Sequence, residues 1–209
     1  MTTTQPFDIH RALRSFNLAL RAQNKSPGTV ELYSLAVRQL TDYLEGEGHS
    51  LQVGEITRDD INGYLSGLHQ IHKPSTVDTR YRSLQAFFKF LKVEGEISES
   101  PMRNMHPPQI PEILVPVLSE DDVKSLLKSC EGRSFEERRD LAMIRLFVST
   151  GARRGELINL RYNPGNPDEN DLSLDPPTIR VIGKGRRERL VPFDTRTAQA
   201  IDRYLRLRE

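Results

Sequence analysis

The sequence has no tryptophan, a single cysteine in 209 residues, and no long apolar stretch. One cysteine cannot build a disulfide framework, so an apolar core and hydrogen bonds must hold the fold. No run approaches the roughly 20 apolar residues that a bilayer-spanning helix needs. Residues 1–5 are short and polar, with neither the apolar segment nor the small-residue cleavage pattern of a secretory signal. The expected compartment is the cytoplasm, where one unpaired thiol is at home; Cys130 reads as a small buried apolar residue. An excess of charge is also missing, since 30 Lys and Arg face 29 Asp and Glu. Any contact with nucleic acid must therefore come from the placement of positive residues, not from their number.

What the sequence does have is helical periodicity, over a length that suits two domains of ordinary size. Ile9, Leu13, Phe16 and Leu20 form a first apolar stripe. Ser26-Pro27 supplies an N-cap followed by proline at the first helical position, ahead of Val30, Tyr33, Val37, Leu40 and Leu44; Gly46 and Gly48 stop that segment. Thr57 with Asp60 opens a shorter helix through Ile61, Leu65 and Leu68 in the manner of a capping box. A fourth helix is expected from near Ser75 through Val77, Tyr81, Leu84, Phe88 and Leu91. These four give an all-helical domain within residues 1–100. Five prolines, at 101, 107, 108, 111 and 116, mark residues 101–117 as an extended linker.

Residues 118–209 begin with another helix signal at Ser119 and continue with an apolar segment from Arg139 to Thr150, broken at Gly151. A short helix follows to Arg161, and Asn163 to Pro177 reads as a loop. Thr178 to Ile182 and Arg189 to Phe193 alternate as strands around a Gly183-Lys184-Gly185 turn, so a hairpin is expected. Asp194 then caps a last helix carrying Ala198, Ile201 and Leu205.

Two segments carry residues suited to phosphate chemistry. Thr150-Gly151-Ala152-Arg153-Arg154-Gly155-Glu156-Leu157 puts two arginines at a break between helices, where guanidinium groups and helix-end amides can converge on an anion. Alone, the segment reads first as surface arginines at a helix start. Ile182 to Pro192 puts Lys184 at a hairpin tip between glycines that allow close backbone approach. Alone, that reads first as a solvated basic turn.

Taken together, in this order and spacing, the two segments resemble the tyrosine recombinases, the phage integrase and Xer-like family. Members read T-G-x-R-x-x-E-L, then a short strand, then I-x-V-x-G-K-G-x-x-x-R-x-V-P; both patterns are present, while the long 163–177 segment leaves the short strand unplaced. Upstream, Ser75-Thr76-Val77 through Leu84 to Leu91 resembles the last main helix of the family's core-binding domain. The resemblance implies a mainly α fold: an N-terminal SAM-like four-helix domain and the first part of a mixed α+β catalytic domain. By that resemblance Arg153 matches the first catalytic arginine, Glu156 the acidic residue that supports the site, and Lys184 the hairpin lysine. An arginine fixed at the phosphate would stabilise charge that grows in the transition state. A lysine among cations can have its pKa lowered enough to protonate the departing 5′ oxygen. Glu156 also reads as an ordinary carboxylate near a helix N-terminus.

A complete member also carries an H-x-x-R motif and a nucleophilic tyrosine, whereas all five histidines here precede Arg153. Tyr162 and Tyr204 lack the nucleophile's context and read as packing residues. The chain is therefore expected to be the front part of a recombinase, one that binds DNA without cleaving it. Arg82, Gln85, Lys89 and Lys92 share one polar face of the fourth helix, which the family places against the major groove; Lys25 and Arg38 are weaker contacts. The implied partner is a double-stranded recombination site, with self-association on DNA and the two domains closing on the duplex as a clamp. No cofactor or metal is implied. His69 and His72 lack a third ligand, and the Gly183 turn lacks the frame of a nucleotide-binding loop. Two other readings remain open: a non-catalytic DNA-binding or regulatory protein, and a helical protein-interaction module.

Overall fold

The computed structural model describes residues 7–112, 114–183 and 187–208. The chain divides into two compact units, Met1–Leu114 and Val115–Glu209. In the first unit, helix starts follow the capping residues. Asp8 caps α1 (Ile9–Ala22), its carboxylate accepting from the Arg11 amide at 2.7 Å. Ser26 caps α2 (Pro27–Gly46). Thr57 and Asp60 form the expected capping box at α3 (Arg58–Ile71). The fourth helix, α4 (Pro74–Val93), starts at Pro74 itself, because a first-turn proline lacks only an N–H that would have had no helical partner. Gly48 beyond α2 and Gly95 beyond α4 both take positive φ, the left-handed conformation that ends a helix with least steric cost in glycine.

The apolar stripes of these helices meet in one core. Ile9, Val37, Leu40, Leu44, Ile61, Leu84, Phe87, Phe88 and Leu91 are completely buried there. Each such side chain contributes about 1.5–3 kcal/mol on burial, against a backbone ordering cost of similar size per residue. Phe16 is the aromatic hub, stacked on Tyr33 at 5.9 Å and edge-on to Phe87 at 5.5 Å. The beginning of the proline-rich stretch belongs to this unit: Met102 is buried in its core, and the Met105 carbonyl accepts from the Tyr81 hydroxyl at 2.7 Å.

The second unit contains α5 (Glu120–Ser129), α6 (Phe135–Thr150), α7 (Arg154–Ile158), a three-stranded antiparallel sheet and α8 (Thr195–Arg208). Several features differ from the reading of the sequence, and α7 stops at Ile158, short of the expected Arg161. Helix α6 begins at Phe135, not Arg139, because Ser134 and Glu137 form a capping box there. The segment 163–177 is not all loop: a 3-10 turn (Pro167–Glu169) precedes β1 (Leu172–Leu174), which pairs with β2 (Pro177–Ile182). Three residues are too few for an alternating pattern to show. Asp171 holds the strand in place by accepting from the Arg161 amide at 3.0 Å and from Arg180 Nε at 2.9 Å.

Strand β3 (Glu188–Pro192) completes the expected hairpin, with Ile179 opposite Val191 and Val181 opposite Arg189. Ile179 and Val181 are buried and alternate with the exposed Arg180 and Ile182, as one-sided burial of a pleated strand requires. That buried face meets α6 and α8 through Leu146, Ile201 and Leu205. Tyr162 and Tyr204 pack against the same core, Tyr204 at 5.5 Å from Phe135. Cys130 departs from expectation. It is the half-buried C-cap of α5, because its position falls after the helix's last turn instead of on a packed face.

Candidate functional site

Helix α6 ends at Gly151, whose φ of 60° turns the chain back so that Arg153 becomes the N-cap of α7. A left-handed residue with a side chain costs about 1–2 kcal/mol, which glycine avoids. The Thr150 hydroxyl braces the turn by accepting from the Ala152 amide at 3.2 Å. Three residues into α7, Glu156 reaches back to accept from the Arg153 amide at 2.9 Å. Its side chain is only 5% exposed, and the same carboxylate accepts from Arg153 Nη1 at 3.1 Å.

The second arm of the site comes from the sheet. Arg189 donates through Nη1 and Nη2 to the two oxygens of Glu156, at 2.9 and 2.8 Å, a bidentate pair. The Arg189 guanidinium, with the Arg153 amide next, overcomes the opposing effect of burial and holds the Glu156 pKa down at about 2, against an ordinary 4.5. Glu156 is therefore an ion at neutral pH, shared by two arginines on different elements. The Arg153 side chain remains 72% exposed. One of its nitrogens is oriented by Glu156, and the rest of the guanidinium is open to an incoming anion.

Gly183 completes the junction. A Cβ at this position would lie 3.1 Å from Arg189 Nη1 and 3.6 Å from Glu156 Oε1, tighter than side chains ordinarily tolerate on the arginine side. Its amide donates to the Arg187 carbonyl at 2.9 Å, which closes the base of the hairpin. Lys184, which the sequence reading puts at the hairpin tip, lies outside the described residues.

On α4, Arg82, Gln85, Lys89 and Lys92 are all exposed. Arg82 is positioned by the buried Asp78, which accepts from its Nε at 2.7 Å, and keeps 67% exposure. Gln85, Lys89 and Lys92 line an open groove of about 430 Å³ together with Arg103. Glu99 bridges Lys92 at 3.1 Å and Arg103 at 3.6 Å. Lys25 and Arg38 are also exposed, and Arg38 is paired with Glu31. Among the described residues, no hydrogen bond or ion pair joins either to the α4 row, whereas Arg80 links α4 to Gln39 of α2 at 2.7 Å.

Two residues of these surfaces were not singled out in the sequence. Arg189 occupies the arginine of the second pattern, so its signal was present at a fixed offset from Gly183. Arg103 carried no signal: it reaches the groove from a turn in which its amide donates to the Ser100 carbonyl at 3.0 Å. Among the described residues, no three His, Cys, Asp or Glu side chains converge as a metal site would need, and no helix is long and apolar enough to cross a membrane.

Comparison with known proteins gives two family matches in chain order. The phage integrase N-terminal SAM-like domain matches residues 13–95, and the phage integrase family matches residues 116–209. The tyrosine recombinase XerD of Listeria monocytogenes serotype 4b is 30% identical over 86% of this chain, and 59% of its own length is covered. A tyrosine recombinase of Thermosipho africanus is 31% identical, with 87% of this chain and 62% of its own length covered. The chain thus spans about three fifths of these curated relatives. Among solved structures, a lambda integrase dimer bound to a COC′ core site shares the fold, with a TM-score of 0.69 at 18% identity over 93% of this chain and 53% of its own. Both pattern segments, the helical unit ahead of them and these matches lead to one conclusion: the chain belongs to the phage integrase family of tyrosine recombinases.

Proposed function

We propose that this chain serves site-specific DNA recombination, in which a tyrosine recombinase cuts and rejoins strands through a 3′-phosphotyrosyl intermediate. The observation that carries the reading is the buried Glu156 carboxylate, which ties Arg189 of the sheet to Arg153 of α7 and leaves the Arg153 guanidinium open. Attack on a phosphodiester places extra negative charge on its non-bridging oxygens. An arginine held in advance stabilises that charge without reorganising at the moment of reaction. In this reading Arg153 binds the scissile phosphate, Glu156 and Arg189 position it, and Lys184 donates a proton to the departing 5′ oxygen. The α4 row, with Arg82, Gln85, Lys89 and Lys92, contacts the duplex, and copies of the protein associate on DNA.

The 209-residue polypeptide itself is assigned DNA binding without cleavage, since it contains no H-x-x-R pattern. The same observation supports a second reading, a DNA-binding or regulatory protein on the recombinase scaffold. One experiment tests the assignment of Arg153. In a protein of the relatives' full length carrying these residues, Arg153→Ala should abolish covalent adduct formation on a nicked site, by about a hundredfold or more. Its gel-shift affinity should stay within a few-fold. Normal adduct yield in the variant refutes the role of Arg153.

A further inference from the structure

Between α6 and α8 lies a cleft of about 690 Å³ that neither the recombinase patterns nor the α4 row involves. Five arginines line it: Arg133 before α6, Arg138 and Arg145 on α6, and Arg196 and Arg203 on α8. Among the described residues, none of the five has a carboxylate within 4 Å. The one acidic residue on the rim is Glu131, and Leu141 and Ala200 contribute apolar floor. Arg138 and Arg145 are half-buried. Guanidinium groups gathered in a partly enclosed cleft, with no carboxylate paired to any of them and Glu131 and Glu137 only at the Gly132 end, repel one another, and an anion bound among them relieves that repulsion.

The two helices run antiparallel. At one end the Asp194 amide, ahead of α8, donates to Ser149 Oγ near the end of α6. At the other end Arg138 Nη1 reaches the Arg203 carbonyl at 3.5 Å. Arg145 is thereby placed near Arg196, and Arg138 near Arg203. Each helix carries its two arginines seven residues apart, a rise of roughly 10 Å. The four arginines thus fall at two levels of the cleft, with Arg133 beyond the Arg138 end. A single phosphate cannot meet both levels, whereas phosphates repeated along a strand can, and guanidinium forks suit their oxygens.

We infer that this cleft is a second nucleic-acid contact, which grips the backbone of one strand through its phosphates and reads no bases. The inference does not rest on the recombinase reading, because it uses neither Arg153 nor α4. The test uses the 209-residue chain with Arg82→Ala, Lys89→Ala and Arg153→Ala as background, and a labelled single strand of about twelve nucleotides followed by anisotropy across a salt series. The background protein should bind the strand with a log–log salt slope to which the cleft contributes about −3, corresponding to four phosphates at roughly 0.7 each. Adding Arg138→Gln, Arg145→Gln, Arg196→Gln and Arg203→Gln should reduce the magnitude of the slope by about 3, leaving what the unsubstituted cations contribute, with helicity unchanged by circular dichroism.

If the glutamine set loses helicity, the corresponding lysine set decides. Lysine keeps the charge and loses the fork, so slope retained with several-fold weaker binding supports the cleft, and binding identical to the background overturns it. An unchanged slope in a folded glutamine set also overturns it. Inorganic tripolyphosphate that displaces the strand at equal phosphate concentration would show a site for compact anions, and the strand assignment would be wrong.

Discussion

Glu156 is held by four hydrogen bonds from two arginines, and its ionisation is part of the fold. Its folded pKa of about 2 lies below the ordinary 4.5. The stabilisation it provides is therefore complete above the ordinary value, and is lost as pH falls through 4.5 towards 2. Glu156→Gln should lower the melting temperature at neutral pH and flatten its dependence between those two values. A variant whose melting curve follows the wild type across that range would show that the shared carboxylate does not couple ionisation to stability. The Arg153–Glu156 part of the junction was legible, because three residues along a helix start place a carboxylate beside its N-cap. Arg189 was not assigned, since 33 residues of sequence separate it from Glu156. Only the strand register places it opposite the buried Val181, on the face from which it can reach the carboxylate.

At the level of elements, α4 combines two tasks on opposite faces. Val77, Tyr81, Leu84, Phe88 and Leu91 anchor it in the core, while the polar row faces solvent. Its apolar stripe, and its start within a residue, were readable from periodicity, as were the capping box at Thr57 and the helix start at Ser119. Strand β1 was not readable, because its place depends on Asp171 bridging two segments instead of on any pattern of its own. The polar row bears on duplex affinity in a way that salt can resolve. Arg82→Ala combined with Lys89→Ala should reduce the salt slope for duplex binding by about one or two, roughly one for each phosphate no longer neutralised. An unchanged slope would return this face to solvent. Asp78, buried beneath Arg82, predisposes the arginine to one orientation and so reduces the side-chain entropy that is forfeited when it meets DNA.

For the whole 209-residue molecule, the proposed assignment is DNA binding in which neither tyrosine of the second unit serves as nucleophile. Tyr162 and Tyr204 both pack against the core of that unit. Incubated with labelled nicked DNA and then denatured, the polypeptide should retain no covalent label above background. A phosphotyrosyl adduct mapped to either residue would overturn the assignment of binding without cleavage. The half-buried Cys130 adds a practical consequence. It is the chain's only thiol and directly precedes Glu131 at the rim of the arginine cleft. A maleimide fluorophore can therefore be attached at one defined position without engineering any residue. With no tryptophan to compete as an emitter, the dye's quenching or polarisation would signal occupancy of the cleft while the α4 row and the Arg153 junction stay chemically untouched.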